Sequence, residues 1–447
     1  METIYALSSA GGRAGVAVIR LSGPEVSRVV TSLTGKPLPR PREAALRRLT
    51  DPKDGAVIDR ALVLYFEGPQ SFTGEDVAEF HVHGGRAVVG ALLKVLSGFG
   101  GVRAAQAGEF TRRAFENGKL DLTEAEGLAD LIDAETEGQR RQALRQMEGA
   151  LGQIYEGWRG RLLNVLAYAE ADIDFADEDL PDDLMAKLGP QIGVLREEIR
   201  KHLEDGHRGE RLRDGVEVAI VGPPNVGKSS VLNRLAGRDA AIVSEEAGTT
   251  RDVLEVRLDL GGIPVMLADT AGLREASGAI EKEGIRRGLA RADSADLRLV
   301  MVAAGPDGEM TGDFALAREG DLRIVNKVDQ GLSSAFGSDI LAISALTGQG
   351  IDTLAAVLEE RVTTLYGAGE YAPITRARHR EGLEACLHNL TRAMEGLGVG
   401  EGLGAGRDSA LVAEDLRLAM RALGRITGRV DVEDLLDVVF RDFCIGK

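Results

Sequence analysis

Cysteine is nearly absent: Cys386 and Cys444 are the only two in 447 residues. Two thiols exclude a disulfide framework and a four-cysteine metal site, so the expected compartment is a reducing cytoplasm. Long apolar runs are missing too. None reaches the ~20 residues of a membrane span, and the opening Met1-Glu2-Thr3-Ile4-Tyr5 carries no basic leader region. The expectation is a cytoplasmic chain with no membrane partner. Positive charge is in deficit, with a net charge of −17. That excludes a generally basic, phosphate-coating surface, but neither one local basic patch nor contact with nucleic acid through a second protein. The remainder, 44% hydrophobic and 28% charged, is the composition of a folded protein, long enough for about three domains of ~150 residues. No internal repeat is found.

What the sequence does contain is a phosphate loop. Gly222-Pro223-Pro224-Asn225-Val226-Gly227-Lys228-Ser229 reads G-x-x-x-x-G-K-S. It follows the strand-type run Val216 to Val221 and precedes Ser230-Val231-Leu232-Asn233-Arg234-Leu235-Ala236, which reads as a helix. Glycines let successive backbone N–H groups turn toward phosphate oxygens, and the helix N-terminus adds its positive dipole end. Lys228 is placed to reach the β- and γ-phosphates, and the Ser229 hydroxyl to ligate Mg²⁺.

Around this loop the chain changes character. Residues 1–118 carry strand signals (Ala14 to Leu21, Ala61 to Phe66, Asp76 to Val82) and a helix at Arg86 to Leu96, an α+β pattern. Residues 119–212 read as helix, with Trp158, Leu162, Val165, Leu166 and Ala169 forming one apolar stripe. The acidic stretch Asp172 to Asp183 reads as a solvated break. Residues 213–366 alternate strands and helices around the P-loop. Residues 367–447 are helical again, with a second stripe at Val412, Leu416, Ala419, Leu423 and Ile426 that needs a partner. The simplest partner is the earlier helical stretch. The expected fold is therefore multidomain: an N-terminal α+β domain, a helical domain in two sequence halves, and an inserted α/β P-loop domain of the Ras-like kind. The even-numbered glycines from 396 to 406 read as a flexible connection between late helices.

Downstream motifs point to guanine nucleotides. Gly248-Thr249-Thr250-Arg251-Asp252 is a candidate first switch, with Thr250 as a Mg²⁺ ligand. Asp269-Thr270-Ala271-Gly272 follows a strand and places Asp269 near the metal and the Gly272 amide near the γ-phosphate. Asn326-Lys327-Val328-Asp329 selects the base, because a carboxylate at Asp329 can accept from both the ring N–H and the exocyclic amine of guanine, a donor pair that adenine lacks. Ser344-Ala345-Leu346 would close over the base with a backbone N–H. Each motif alone is weak; in this order at strand ends they favour GTP over ATP, bound at the carboxyl edge of a doubly wound sheet.

Several positions carry two readings. Leu273 stands where many such proteins have a water-orienting Gln, so another group must position the attacking water. Glu281 is the candidate, against a solvated helix-face glutamate. The Asn225 side chain could ligate a monovalent cation in place of an arginine finger, for which Arg251 and Arg274 are the nearby residues. Cys444, in Phe443-Cys444-Ile445-Gly446-Lys447, is a nucleophile or acid/base, or a free thiol on a docked tail. His81 and His83 read as surface or packing histidines.

The P-loop with Ser230 after it, the switch Ala247 to Asp252, Asp269 to Glu275, Ser71-Phe72-Thr73-Gly74-Glu75-Asp76, Lys119-Leu120-Asp121-Leu122 and the terminal Cys-Ile-Gly-Lys together resemble the MnmE (TrmE) family of tRNA-modification GTPases, over the whole chain. The resemblance implies a homodimer whose residues 1–118 dimerise and bind a tetrahydrofolate one-carbon derivative, and whose G domains pair across K⁺ as GTP is hydrolysed. It implies a flavin-dependent partner of the MnmG/GidA type, tRNA as substrate, and installation of a 5-carboxymethylaminomethyl or aminomethyl group on the wobble uridine.

By matching motif, folate contacts fall on Arg20, Glu79, Lys119 and Lys447; without the resemblance, Arg20 and Glu79 read as ordinary ion-paired strand residues. Potassium contacts fall on Asn225, Ser244, Glu246 and Thr249, the loop positions through backbone carbonyls, and Glu281 and Cys444 match catalytic positions. Nucleotide contacts fall on Asn225, Val226, Gly227, Lys228, Ser229, Ser230, Ser244, Thr249, Thr250, Asp269, Thr270, Ala271, Gly272, Asn326, Lys327, Asp329, Ser344 and Ala345. Pro223 and Glu246 depart from residues common in the family. The competing reading is a ribosome-assembly type of GTPase switch, which needs neither the folate set nor Cys444.

Overall fold

Apolar residues alternate along the N-terminal strands, so one face of their sheet must be covered. The computed structural model describes residues 2–174, 184–238, 240–242, 255–269, 292–305, 309–330, 337, 339–367, 372–398, 409–430, 433–441, 443 and 446. The chain divides into two units, one of Met1–Ala129, Met147–Gly160 and Met420–Lys447, the other of Asp130–Gln146 and Arg161–Ala419.

In the first unit β1 (Thr3–Leu7), β2 (Ala14–Ser22), β3 (Ala45–Thr50), β4 (Val57–Phe66), β5 (Val77–Gly84) and β6 (Val102–Ala104) form a sheet in the order β3-β4-β5-β2-β1-β6. All neighbours are antiparallel except β1 and β6. Two helices, α1 (Val26–Thr34) and α2 (Arg86–Leu96), cover one face. Val26, Val29, Val30 and Leu33 recur every three to four residues and are fully buried with Ile19, Leu21 and Phe80. Burying each such side chain contributes about 1.5–3 kcal/mol before chain entropy is counted. Strands β1 and β3 were not expected. The run Arg47-Arg48 hides β3, since an edge strand tolerates charge, and β4 begins earlier than its apolar core, at Val57.

Helices α3 (Glu109–Glu116), α4 (Leu122–Asp133) as far as Ala129, and α13 (Glu433–Arg441, numbered below) also belong to this unit. Leu122, Ala125, Leu436, Phe440 and Phe443 form one cluster. Gly108 at the start of α3 has φ +65, and an added Cβ would sit 2.7 Å from Phe440 O. Buried Arg113 donates to Glu75 and Glu109 at 3.0 Å each. Burial alone would raise the Glu109 carboxyl, but hydrogen bonds from Arg103, the Gln106 amide and Arg113 outweigh it and hold the group below the usual range.

The helical segments are α5 (Glu137–Met147), α6 (Ala150–Asp174), α7 (Leu184–Leu203) and α8 (Arg208–Asp214) before the α/β region, and α11 (Ala377–Gly396), α12 (Ser409–Thr427) and α13 after it. The stripe expected on α6 is buried at all its positions, as is that on α12. Ser409 donates to Asp172 at 2.9 Å and Arg417 pairs with Glu170 at 2.7 Å, so α12 does lie along α6. Helix α6 continues through Asp172 to Asp174, and the rest of the acidic stretch, residues 175–183, lies outside the described set. Gly396 is not linker but the last residue of α11, and buried.

Between these helices lies the α/β sheet: β7 (Val216–Val221), β8 (Glu255–Leu260), β9 (Ile263–Asp269), β10 (Leu297–Ala304), β11 (Met310–Thr311), β12 (Leu322–Asn326) and β13 (Ile340–Ala342). Its order is β13-β12-β10-β7-β9-β8, with β11 beside β10. The strands are parallel except β8 and β11. Strand β10 is buried at every residue, as a central parallel strand should be; its one charge, Arg298, pairs with Asp321 at 3.1 Å. Helices α9 (Lys228–Ala236) and α10 (Ile351–Tyr366) pack their apolar stripes on the sheet.

The segment Asp130–Gln146 is fastened to this sheet at the β8–β9 turn. Gly262 O accepts from Gly138 N at 3.1 Å and Thr136 Oγ1 at 2.7 Å. A Cβ on Gly138 would lie 2.2 Å from that carbonyl. No described helix is long and apolar enough to cross a membrane.

Candidate functional site: a phosphate loop joined to a base-reading loop

Strand order reverses at β7, whose neighbours are β9 and β10. Helical crossovers leave on opposite sides there, opening a crevice at the carboxyl end of the strand. The loop from Gly222 fills that edge. Asn225 and Gly227 take left-handed backbone conformations, φ +65 and +96, and the turn delivers the chain into α9 at Lys228. Nζ of buried Lys228 donates to Gly222 O at 2.8 Å and Pro223 O at 2.9 Å. Both acceptors are neutral carbonyls, so an anionic phosphate would replace them with stronger partners. Ser230 is exposed on the first turn of α9.

Asp269 is the last residue of β9, not the first after it, and is buried. Its Oδ2 accepts from Ser229 Oγ at 2.5 Å. Converging hydroxyl and carboxylate oxygens at the phosphate edge suit a hard divalent cation such as Mg²⁺, so the pair fits the metal expected there.

Asn326 ends β12. Its Nδ2 donates to Val226 O at 2.8 Å and its Oδ1 accepts from Ala345 N at 3.0 Å. Lys327, with φ +63, donates from Nζ to Asn225 O at 2.7 Å. Exposed Asp329 accepts from Ser344 Oγ at 2.5 Å. Two segments about 100 residues apart in sequence are thus joined by side chains of the Asn-Lys-x-Asp motif itself. Among the described site residues, Asn225, Val226, Gly227, Lys228, Ser229, Asp269, Asn326, Lys327, Asp329, Ser344 and Ala345 come together. Ser244, Glu246, Thr249, Thr250, Thr270, Ala271, Gly272, Glu281, Cys444 and Lys447 lie outside the described residues.

In the first unit, pairing of β2 with β5 sets Arg20 opposite Glu79, with a 2.9 Å ion pair. The Arg20 guanidinium lies 5.9 Å from the Phe72 ring centre and 5.8 Å from that of Phe110. His81 Nε2 lies 3.2 Å from Glu79, and His83 Nδ1 2.8 Å from Asp59. Both histidines therefore have carboxylate partners, which their local spacing did not suggest, and no metal-binding group of three is found among the described residues. Lys119 is exposed beside the same Ser71-to-Asp76 loop, its Cε 3.3 Å from where a Cβ on Gly74 would stand. The tail returns to this unit too: Ser8 Oγ donates to Gly446 O at 2.9 Å. Sequence reading missed Phe110 and Arg113; the only local signal was Glu75, inside a motif already singled out.

A separate cavity of about 490 Å³ is lined by Asp133, Glu135, Gln139, Arg213, Arg257 and Met266, among others. It lies toward the amino ends of β7 and β9, away from the phosphate loop.

A doubly wound sheet with a phosphate loop, a buried metal-side carboxylate and an Asn-Lys-x-Asp base loop on one edge defines a GTP-binding protein of the P-loop class. Residues 3–119 match the family described as GTP-binding protein TrmE N-terminus, and residues 122–444 that described as MnmE helical domain. The chain is similar over its full length to curated proteins named tRNA modification GTPase MnmE: 68% identical to that of Parvibaculum lavamentivorans, with all of both chains covered, and 52% to that of Paramagnetospirillum magneticum, again with all of both covered. It is 52% identical to that of Maricaulis maris, covering all of this chain and 99% of the other. The chain belongs to the MnmE family of tRNA modification GTPases.

Proposed function

We propose that this protein is a K⁺-dependent GTPase that acts with a flavin-dependent partner of the MnmG type to modify the wobble uridine of tRNA, as a cytoplasmic homodimer. The observation that carries the GTPase arm is the Asn326 bridge, which ties the loop that would hold the phosphates to the loop that would read the base. The tRNA arm rests on the full-length likeness to relatives named for that role.

In this reading Lys228 leaves the carbonyls of Gly222 and Pro223 for the β- and γ-phosphates. Ser229, Thr250 and Asp269 hold Mg²⁺, which supplies charge neutralisation on the phosphate oxygens. Asn225, with Ser244, Glu246 and Thr249, holds K⁺, and Glu281 orients the attacking water, because Leu273 has no hydrogen-bonding group to do so. Water adds to the γ-phosphorus as its bond to the β–γ bridging oxygen breaks, giving GDP and inorganic phosphate. Arg20, Glu79, Lys119 and Lys447 bind the tetrahydrofolate one-carbon derivative, and Cys444 serves the modification chemistry. Residues 1–118, 119–212, 213–366 and 367–447 are the corresponding functional segments.

The test is mass analysis of wobble uridine in tRNA from cells whose only copy carries Cys444→Ser. Loss of the carboxymethylaminomethyl or aminomethyl group is expected. Unchanged modification would favour a ribosome-assembly type of switch. The cation arm is checked separately: GTP turnover should be faster in K⁺ than in Na⁺ at equal ionic strength, and equal rates would remove K⁺ from the mechanism.

A further inference from the structure

Arg234, on the second turn of α9, has no part in phosphate or metal binding, yet its guanidinium is committed to the base-reading loop. Nε donates to Ala345 O at 2.8 Å, and Nη2 donates to Leu346 O. A planar fork on two successive carbonyls fixes both the position and the tilt of a peptide segment in a way that a point charge does not. The hydrogen bonds at the loop's tip are internal, with Thr347 N donating to Ser344 Oγ at 3.1 Å and Gly348 N to Ser344 O at 2.8 Å, so they shape the turn without tying it to α9, and Leu346 there is 76% exposed.

The bonds close into a ring. Val226 in the phosphate loop is held by Asn326, Asn326 holds the Ala345 amide, the Ala345 carbonyl is held by Arg234, and Arg234 rides on the helix that begins at Lys228, just after the phosphate loop's Gly227. Ala345 is therefore gripped from both ends of its own residue. Ser344, one residue earlier, donates to Asp329, so the same loop also touches the carboxylate expected to read the base.

We propose that Arg234 is a positioning residue for guanine recognition. By clamping the carbonyls of Ala345 and Leu346 to the phosphate-binding helix, it sets where the Ser344-to-Leu346 loop and Asp329 meet the base. The proposal rests on the guanine-nucleotide reading of this site and adds to it a residue outside the recognised motifs. Helix α9 is fixed by the phosphates at one end, so the clamp makes the distance between phosphate and base contacts nearly rigid. The loop is then already in place when nucleotide arrives, and little ordering entropy is lost on binding.

The experiment uses the full-length protein and measures affinity for GDP and ADP, with KM and kcat for GTP, in Arg234→Ala and Arg234→Lys. Arg238→Ala is the control, because Arg238 lies just after the same helix and pairs with Asp352 on the first turn of α10, not with the carbonyls of the base loop. Arg234→Ala should weaken GDP binding and raise KM for GTP about tenfold, the effect of losing a partly exposed pair of charge-assisted hydrogen bonds. ADP binding and kcat should stay within about twofold of wild type on the same reasoning. Arg234→Lys, able to reach one carbonyl, should fall between the two, and Arg238→Ala should match wild type.

Unchanged GDP affinity in Arg234→Ala overturns the proposal. So does an equal fall for GDP and ADP, or an equal effect of Arg238→Ala, since either would mean general destabilisation. Where Arg234→Ala does not fold, Arg234→Lys decides: wild-type GDP affinity there shows that the fork is not needed. If wild type itself does not prefer GDP to ADP, it is the guanine reading that fails.

Discussion

Asp329→Asn is expected to lower GDP affinity by about three orders of magnitude and to create affinity for xanthosine diphosphate. A site built to hydrogen-bond a particular donor pattern rejects the wrong one by roughly 10⁴–10⁵-fold when its groups are fully buried. Asp329 is exposed, so a factor below that range, about 10³, is appropriate. The carboxylate offers two acceptors to the ring N–H and the exocyclic amine of guanine. Asparagine replaces one acceptor with a donor, which opposes a guanine N–H and suits the extra carbonyl of xanthine. Asparagine keeps an oxygen for Ser344 Oγ, so the loop contact at 2.5 Å can persist and the fold should be unaffected. Equilibrium binding of fluorescent GDP and xanthosine diphosphate checks this. A GDP affinity within tenfold of wild type would mean that Asp329 does not read the base.

Gly227→Ala should abolish useful nucleotide binding, with GDP affinity down at least about a hundredfold and stability lowered by about 2 kcal/mol. The reason is specific to this position. Gly227 has φ +96, which a residue with a Cβ rarely adopts. An added Cβ would also stand 2.4 Å from Asn326 Nδ2. That atom donates to Val226 O, and its partner Oδ1 accepts from Ala345 N, so one methyl group displaces the phosphate loop and the base loop together. Denaturant melts with and without GDP separate the two effects. A variant that loses stability but keeps the GDP-induced gain would show that the Asn326 bridge is dispensable.

Much of the nucleotide site was legible in the sequence because its chemistry is local. Gly222 to Ser229 must turn tightly after a strand and enter a helix, and those requirements are written in contiguous residues. Asp269 and Asn326 were identified by type and order, although the structure places each at the end of its strand instead of just beyond it. The apolar stripes on α6 and α12 were equally readable, since helical periodicity needs only neighbouring residues. The edge strand β3 was not, because Arg47 and Arg48 satisfy an edge and disguise the alternation.

The sequence alone determined the inventory: a phosphate loop, a guanine-type base motif, an α/β region set between two helical stretches, a tail with one thiol, and a surface too acidic to coat nucleic acid. Tertiary structure decided which of these parts touch. Strand register sets Arg20 against Glu79, the Asn326 side chain spans from β12 to Val226, and the chain end returns to place Gly446 at Ser8. Arg234, an unremarkable helix residue in sequence, becomes a clamp only when α9 lies beside the loop at Ala345. Local motifs record the conformations and chemistry that adjacent residues require. Contacts between distant segments arise from how the sheet winds and how its helices pack, which no short stretch of sequence specifies.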